Sequence, residues 1–187
     1  MEKLDLYKQH IGEYAAGSIP RTVEVSSAQY LAIEGAGEPG GGAFDAAVGA
    51  LYSMAFTVKM ASKKTGRDYV VCKLEGIYPT MTQWTLLIRT PDFIDEEALR
   101  LSREKILRKD EDSLADQIKL ITLQEGKSAQ LLHVGPYSEE QVSIDKLMAY
   151  IKQQGLCVDG KHHEIYLSDP RRIAPEKLKT ILRYPVR

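Results

Sequence analysis

The sequence predicts an α+β fold in which a β-α-β-β unit occurs twice, with antiparallel sheets around a pseudo-twofold ligand cleft. Three observations carry this prediction. Runs rich in β-branched residues alternate with stripes of apolar residues three and four apart, in the order strand, helix, strand, strand. That order then recurs, so the chain of 187 residues reads as a single domain, 1–187, with repeats at roughly 20–92 and 115–187. Finally, LEGIY (74–78) and HEIYL (163–167) fall at corresponding points, each on the strand after its long helix, which makes Glu75 and Glu164 partners. Two such units sharing a pseudo-twofold axis would turn these strand ends toward one cleft.

Each element has a local reason. TVEVSSAQYLAIEG (22–35) is β-branched and ends in glycine, so it predicts a strand. In the segment after it, Phe44, Val48, Leu51, Ala55 and Val58 recur at helical spacing, with Gly66 placed to cap the end. DYVVCKLEGIY and QWTLLIRTP predict two strands separated by a turn around Pro79. Asp95, Glu96 and Glu97 open a short helix with acid, and Arg108 and Lys109 close it with base, both complementing its dipole. Beyond the charged stretch RKDEDSLAD, QIKLITLQEG and SAQLLHVG predict a hairpin. SEEQVSIDKLMAYIKQQG predicts a helix with a capping box of Ser138 and Gln141, an apolar stripe of Ile144, Leu147, Met148 and Ile151, and Gly155 at its end. HHEIYLSDP is the next strand, a short helical turn enters through Pro175, and TILRYPV closes the chain.

Composition excludes several classes. With 25 basic and 26 acidic residues the formal net charge is −1, a poor match for polyphosphate, and no nucleic-acid partner is expected. The leading MEKLDLYKQHIGEY has no apolar core, and no run approaches the about 18 apolar residues of a membrane span. A cytoplasmic protein without membrane association is expected, and Cys72 and Cys157, both among apolar neighbours, are expected to be buried structural thiols in a reducing compartment. Monomer and homodimer both remain open. GAGEPG (35–40) matches G-x-G-x-x-G, but Pro39, Gly41 and Gly42 put a loop where a dinucleotide site needs a helix start, and no acid for a ribose follows about twenty residues on. A flexible loop, able to act as a lid, fits better. No cofactor is expected.

KHHEIYLSDP (161–170) concentrates the chemistry. On a strand, His162, Glu164 and Tyr166 share one face while His163 and Ile165 take the other, so the adjacent histidines diverge. Neither the His pair of a zinc-protease helix nor paired cysteines is present, and no metal is expected; a polar strand edge is the plain alternative. A carboxylate in a poorly solvated aromatic cleft has its charged form disfavoured, so Glu164 is the candidate general base, with Tyr166 able to donate a hydrogen bond to the bound molecule. His133 is a candidate second proton carrier, with a satisfied structural histidine as the preferred plainer reading. Tyr52, Phe56, Tyr78, Trp84, Tyr137 and Tyr184 supply further rings. Ten tyrosines against three phenylalanines suit a cavity that holds a flat lipophilic or aromatic small molecule and also hydrogen-bonds it.

The segments YLAIEGAGEP, ALYSMAFTVKM, DYVVCKLEG, QWTLLIRTPDF, LLHVGPYSEE and KHHEIYLSDPRRIAPEKLKTILRYPV together resemble the GyrI-like family of small-molecule-binding proteins in its stand-alone branch, over nearly the whole chain. The resemblance implies duplicated β-α-β-β repeats of SHS2 type. In relatives fused to MerR-type or AraC-type regulators, such a module binds lipophilic cationic drugs through aromatics and one glutamate, which maps onto Glu164. Some stand-alone relatives are cyclopropanoid hydrolases, which add water to a strained ring. Carried over, this implies that Glu164 orients or deprotonates water, with Tyr166 and Trp84 lining the pocket. Leu74-Glu75-Gly76 is followed here by Ile77-Tyr78-Pro79, where many stand-alone relatives carry paired tryptophans. The expected function is therefore a small-molecule-binding protein hydrolysing electrophilic cyclopropane-type toxins. The alternative is a non-catalytic module that sequesters lipophilic cations, with Glu75, Tyr52, Phe56, Tyr78, His133 and Tyr137 as further ligand-binding candidates, and a protein-docking inhibitor would instead expose an apolar patch.

Overall fold

The structure, a computed structural model, describes residues 3–187. In chain order it contains α1 (Leu6–Gln9), α2 (Ile11–Tyr14), β1 (Arg21–Val25), β2 (Ala28–Ala36), α3 (Gly42–Lys64), β3 (Leu74–Thr80), β4 (Gln83–Arg89), α4 (Glu96–Leu107), β5 (Lys119–Leu123), β6 (Gly126–Val134), α5 (Glu140–Gln153), β7 (His162–Tyr166) and β8 (Lys179–Pro185). These elements divide into two compact units. The first holds residues 3–9, 28–72 and 78–123, and the second residues 10–27, 73–77 and 124–187.

In the first unit the strand order is β3, β4, β2, β5. β2 runs antiparallel to β4, from Tyr30 opposite Arg89 to Ala36 opposite Gln83, and antiparallel to β5 on its other edge. Leu31, Ile33, Leu86 and Ile88 are buried there with Leu51, Met54 and Val58 of α3, and with Leu99 of α4. Each such side chain contributes roughly 1.5–3 kcal/mol through burial. α3 ends as its sequence predicts, with Gly66 at φ 85, a left-handed conformation that favours glycine. α4 starts as predicted too, because the Asp95 side chain accepts the Ala98 N–H at 2.8 Å.

The second unit orders its strands β1, β6, β8, β7, β3. β6 pairs antiparallel with both β1 and β8, and β8 with β7. Ala129, Leu131 and Leu182 on one sheet face are packed by Leu147 and Ile151 of α5, with Ile144, Met148 and Tyr184 around them. The predicted stripe of α5 is thus the stripe it buries. The duplicated β-α-β-β order is present: β2, α3, β3, β4 and then β6, α5, β7, β8.

Several local expectations need correction. Residues 22–35 break into two strands at Ser26, whose Oγ donates at 2.6 Å and whose backbone N–H donates at 3.2 Å to Glu13 Oε1. β5 and β6 do not form a hairpin with each other. β5 borders β2 and β1 borders β6, so both nine-residue strands, β2 and β6, satisfy backbone groups along two edges. The capping box is absent, since Ser138 lies in a 3₁₀ turn (Tyr137–Glu139) begun after Pro136, which moves the start of α5 to Glu140. Pro79 is inside β3 near its exposed end, where a missing N–H costs little, and the turn follows it. Cys72 is buried, whereas Cys157 is exposed, in a segment whose backbone bonds Arg187 in both directions, which corrects the expectation that both thiols are buried. No helix among the described residues is long and apolar enough to cross a membrane.

Candidate functional site

The side chains of β7 alternate between two environments, as its buried and half-buried residues show. Register explains the difference. Glu164 is opposite Leu182, Tyr166 opposite Thr180, and those residues are opposite Leu131 and His133 of β6, so Glu164 and Tyr166 belong to the sheet face that carries α5. His163 belongs to the other face.

On the α5 face, Glu164 is held from both sides. Its Oε2 accepts the Tyr166 hydroxyl at 2.7 Å, and its Oε1 lies 2.9 Å from His162 Nε2. Only 13% of its side chain is exposed. Rings complete the surround. Tyr137 packs edge-on to Tyr166 with centroids 5.9 Å apart, and Tyr184 tilts against His162 at 4.8 Å. Burial and the charges of Glu140, Glu164 and Asp169 push the Tyr137 phenol up to about 12, and burial with Glu164 raises that of Tyr184. These phenols therefore stay protonated and can donate.

The carboxyl most displaced from its ordinary range is Glu140, the first residue of α5, pushed up to about 8 by burial and by the neighbouring Glu164 charge. The Thr180 hydroxyl, also beside it, pulls the other way. The Glu140 carboxyl is thereby kept largely protonated at neutral pH. Sequence reasoning missed Glu140 because an acid in the first turn of a helix already has a bland explanation in the helix dipole.

The opposite face of β7 holds a buried ion network. His163 Nδ1 lies 2.9 Å from Glu125 Oε1 and its Nε2 3.0 Å from Glu75 Oε2, the latter an ion-pair distance without a well-directed hydrogen bond. Arg183 bonds Glu125 Oε2 at 3.1 Å, Gln130 at 2.9 Å and the Glu13 carbonyl at 2.6 Å. Tyr14 donates to Glu75 at 3.1 Å. Burial alone would depress His163, but Glu125 and Glu75 raise it to about 9. Burial would likewise raise Glu125, but His163 and Arg183 lower it to about 2. Two cations against two carboxylates leave this interior neutral overall.

Among the candidates read from sequence, the structure brings together Glu164, Tyr166 and Tyr137. Glu75 is in the ion network instead. His133 is buried between Ser143 Oγ, 2.9 Å from its Nδ1, and the Pro136 carbonyl, 3.2 Å from its Nε2, the contacts of a structural histidine. The remaining four are in the first unit. Trp84 is buried edge-on to Phe44 at 5.4 Å and covers Gly35, its cross-strand partner, where any Cβ would run into the indole. Gly35 of the glycine-rich stretch thus serves close ring packing. Tyr52 stacks on Phe56, which is 54% exposed, and Tyr78 is half-buried. A groove of about 490 Å³ between α3 and α4, lined by Ser53, Thr57, Lys105 and Lys109 among others, contains none of the candidates and no buried titratable group. Among the described residues no group of three or more His, Cys, Asp or Glu could hold a metal ion.

The sequence profile of the GyrI-like small molecule binding domain matches residues 93–187. Over 99% of its length the chain is similar to a hydrolase from Listeria innocua, with 38% identity, all of that chain covered and a TM-score of 0.91. An uncharacterized conserved protein from the same organism is 36% identical over 99% of this chain and 100% of its own, with a TM-score of 0.92. The C-terminal domain of EcmrR shares the fold at 12% identity, covering 90% of this chain and 96% of its own at a TM-score of 0.61. No curated protein matches the chain.

Proposed function

Since this chain belongs to the GyrI-like small molecule binding domain family, we propose that it binds an electrophilic cyclopropane compound beside Glu164 and opens the ring by adding water. The observation that carries this reading is the double hold on Glu164, by Tyr166 at 2.7 Å and His162 at 2.9 Å. A carboxylate fixed in this way is aimed, and it can orient a water and take its proton as the oxygen attacks. The protonated phenols of Tyr137 and Tyr184 provide donors for negative charge that develops on a conjugated carbonyl as the ring opens. Such contacts strengthen in the transition state, which is what catalysis requires. Water as co-substrate agrees with the Listeria innocua hydrolase to which the chain is similar over its full length.

The test is Glu164→Gln with a cyclopropane fused to a conjugated ring ketone as substrate. We expect kcat to fall by about 10²-fold to 10⁴-fold, the usual loss of a positioned base, while affinity measured by equilibrium dialysis changes little. Equal loss of binding and turnover would reject the role of base. One observation favours a second reading: a carboxylate among tyrosine rings also suits a lipophilic cation through charge and cation-π contact. Tight binding of a lipophilic cation with no turnover of the cyclopropane by the wild type would establish that reading in place of the first.

A further inference from the structure

We propose that Glu140 is a second catalytic residue, the general acid that works opposite Glu164 in the ring-opening step. This rests on the reading of Glu164 as the base. Glu140 is at the start of α5, only 7% exposed, beside the Glu164 carboxylate and the Thr180 hydroxyl. Its Oε1 is buried and makes no well-directed hydrogen bond among the described residues. A helix start is a place where an ionised carboxylate is normally favoured, so a buried neutral acid there runs against the local dipole. What overrides the dipole is burial first, and then the neighbouring Glu164 charge. Pairs of carboxyls whose environments separate their proton affinities divide acid and base roles between them.

The chemistry balances with nothing beyond water. Glu164 takes a proton from water as the water oxygen bonds to a ring carbon. The C–C bond of the cyclopropane breaks, and its electron pair moves through the conjugated system onto the carbonyl oxygen. Glu140 gives that oxygen its proton. Glu164 is then protonated and Glu140 ionised, and transfer of one proton between the adjacent carboxyls restores the starting state. Only one water has been consumed.

The sign of the pH effect follows. An acid must be protonated to act, so kcat should hold below about 8 and fall tenfold per pH unit above it. The groups beside Glu140 are Glu164 on β7, whose carboxyl oxygens are contacted by Tyr166 and His162, the Thr180 hydroxyl on β8, and Tyr137 in the turn before α5. The Tyr137 phenol, at about 12, titrates well above this limb.

The experiment is the kcat profile of wild type, Glu140→Gln and Glu140→Asp between about pH 6 and 10 on the same cyclopropane ketone, with circular dichroism to verify folding. We expect Glu140→Gln to lose about 10²-fold in kcat together with the alkaline limb, with KM changed less than about threefold, and Glu140→Asp to recover part of both. A merely structural role would leave the limb in place. Glu140→Gln with wild-type kcat, or a persisting alkaline limb, overturns the assignment of Glu140 alone. Absence of turnover in the wild type overturns the parent reading as well. If Glu140→Gln fails to fold, Glu140→Asp decides: a limb that moves with the substituted acid supports the assignment, and an unmoved limb rejects it.

Discussion

Along β7 every second residue belongs to a different chemistry, so a single position decides between an aimed carboxylate and a buried cation. Glu164 sits with Tyr166 and His162 on the α5 face, and His163 with Glu125, Glu75 and Arg183 on the other. This division was legible, because strand periodicity needs only neighbouring residues. The partners of His163 were not: Glu125 and Arg183 read as a loop acid and a strand base, and only tertiary pairing joins them. The network predicts that His163→Ala destabilises the protein by about 3–5 kcal/mol, the usual result of leaving buried charge without its partner. Urea unfolding checks this, and a change under about 1 kcal/mol would mean that the network contributes little. Glu140 was illegible for a related reason: a first-turn acid is explained by its own helix until the strand beneath it is known.

At the level of elements, the helix stripes, the start of α4 and the end of α3 followed from sequence, whereas the start of α5 and the strand pairing did not. The stripe of α5 and the caps at Asp95 and Gly66 depend on residues within a few positions of each other. The connection from β5 to β6 resembles a hairpin, yet each strand pairs elsewhere, since the long strands β2 and β6 each bond two neighbours. Gly35 is another case. Its stretch matched a phosphate-binding pattern, but its lack of a side chain serves Trp84, whose ring occupies the space a Cβ would need. Gly35→Ala should therefore cost about 1–3 kcal/mol through overpacking and shift the Trp84 fluorescence. A thermal midpoint and emission spectrum identical to wild type would show that the ring moves aside freely.

For the whole molecule, three displaced groups give stability a direction in pH. His163 is raised from 6.5 to about 9, so its contribution is full below about 6.5 and lost as pH rises through 9. Glu140, raised from 4.5 to about 8, adds a loss in the same direction over its own window. Glu125 is lowered from 4.5 to about 2, so its contribution is present above about 4.5 and lost as pH falls through 2. The thermal midpoint should accordingly be highest on the acid side of neutrality and decline toward about pH 9, less steeply in Glu140→Gln. A midpoint that climbs from pH 6 to 9 would contradict these assignments. The duplicated β-α-β-β order was readable at this scale because two long amphipathic helices punctuate it.

The proposed function has Glu164 direct water onto a strained ring. Its most direct measurement is the product mass of a conjugated cyclopropane ketone incubated in heavy-oxygen water with wild type and with Glu164→Gln. A product heavier by one water and carrying the heavy oxygen is expected for the wild type, and nearly all of the substrate left unconverted by the variant over the same time. Unaltered mass with the wild type, or equal conversion by the two proteins, would contradict it.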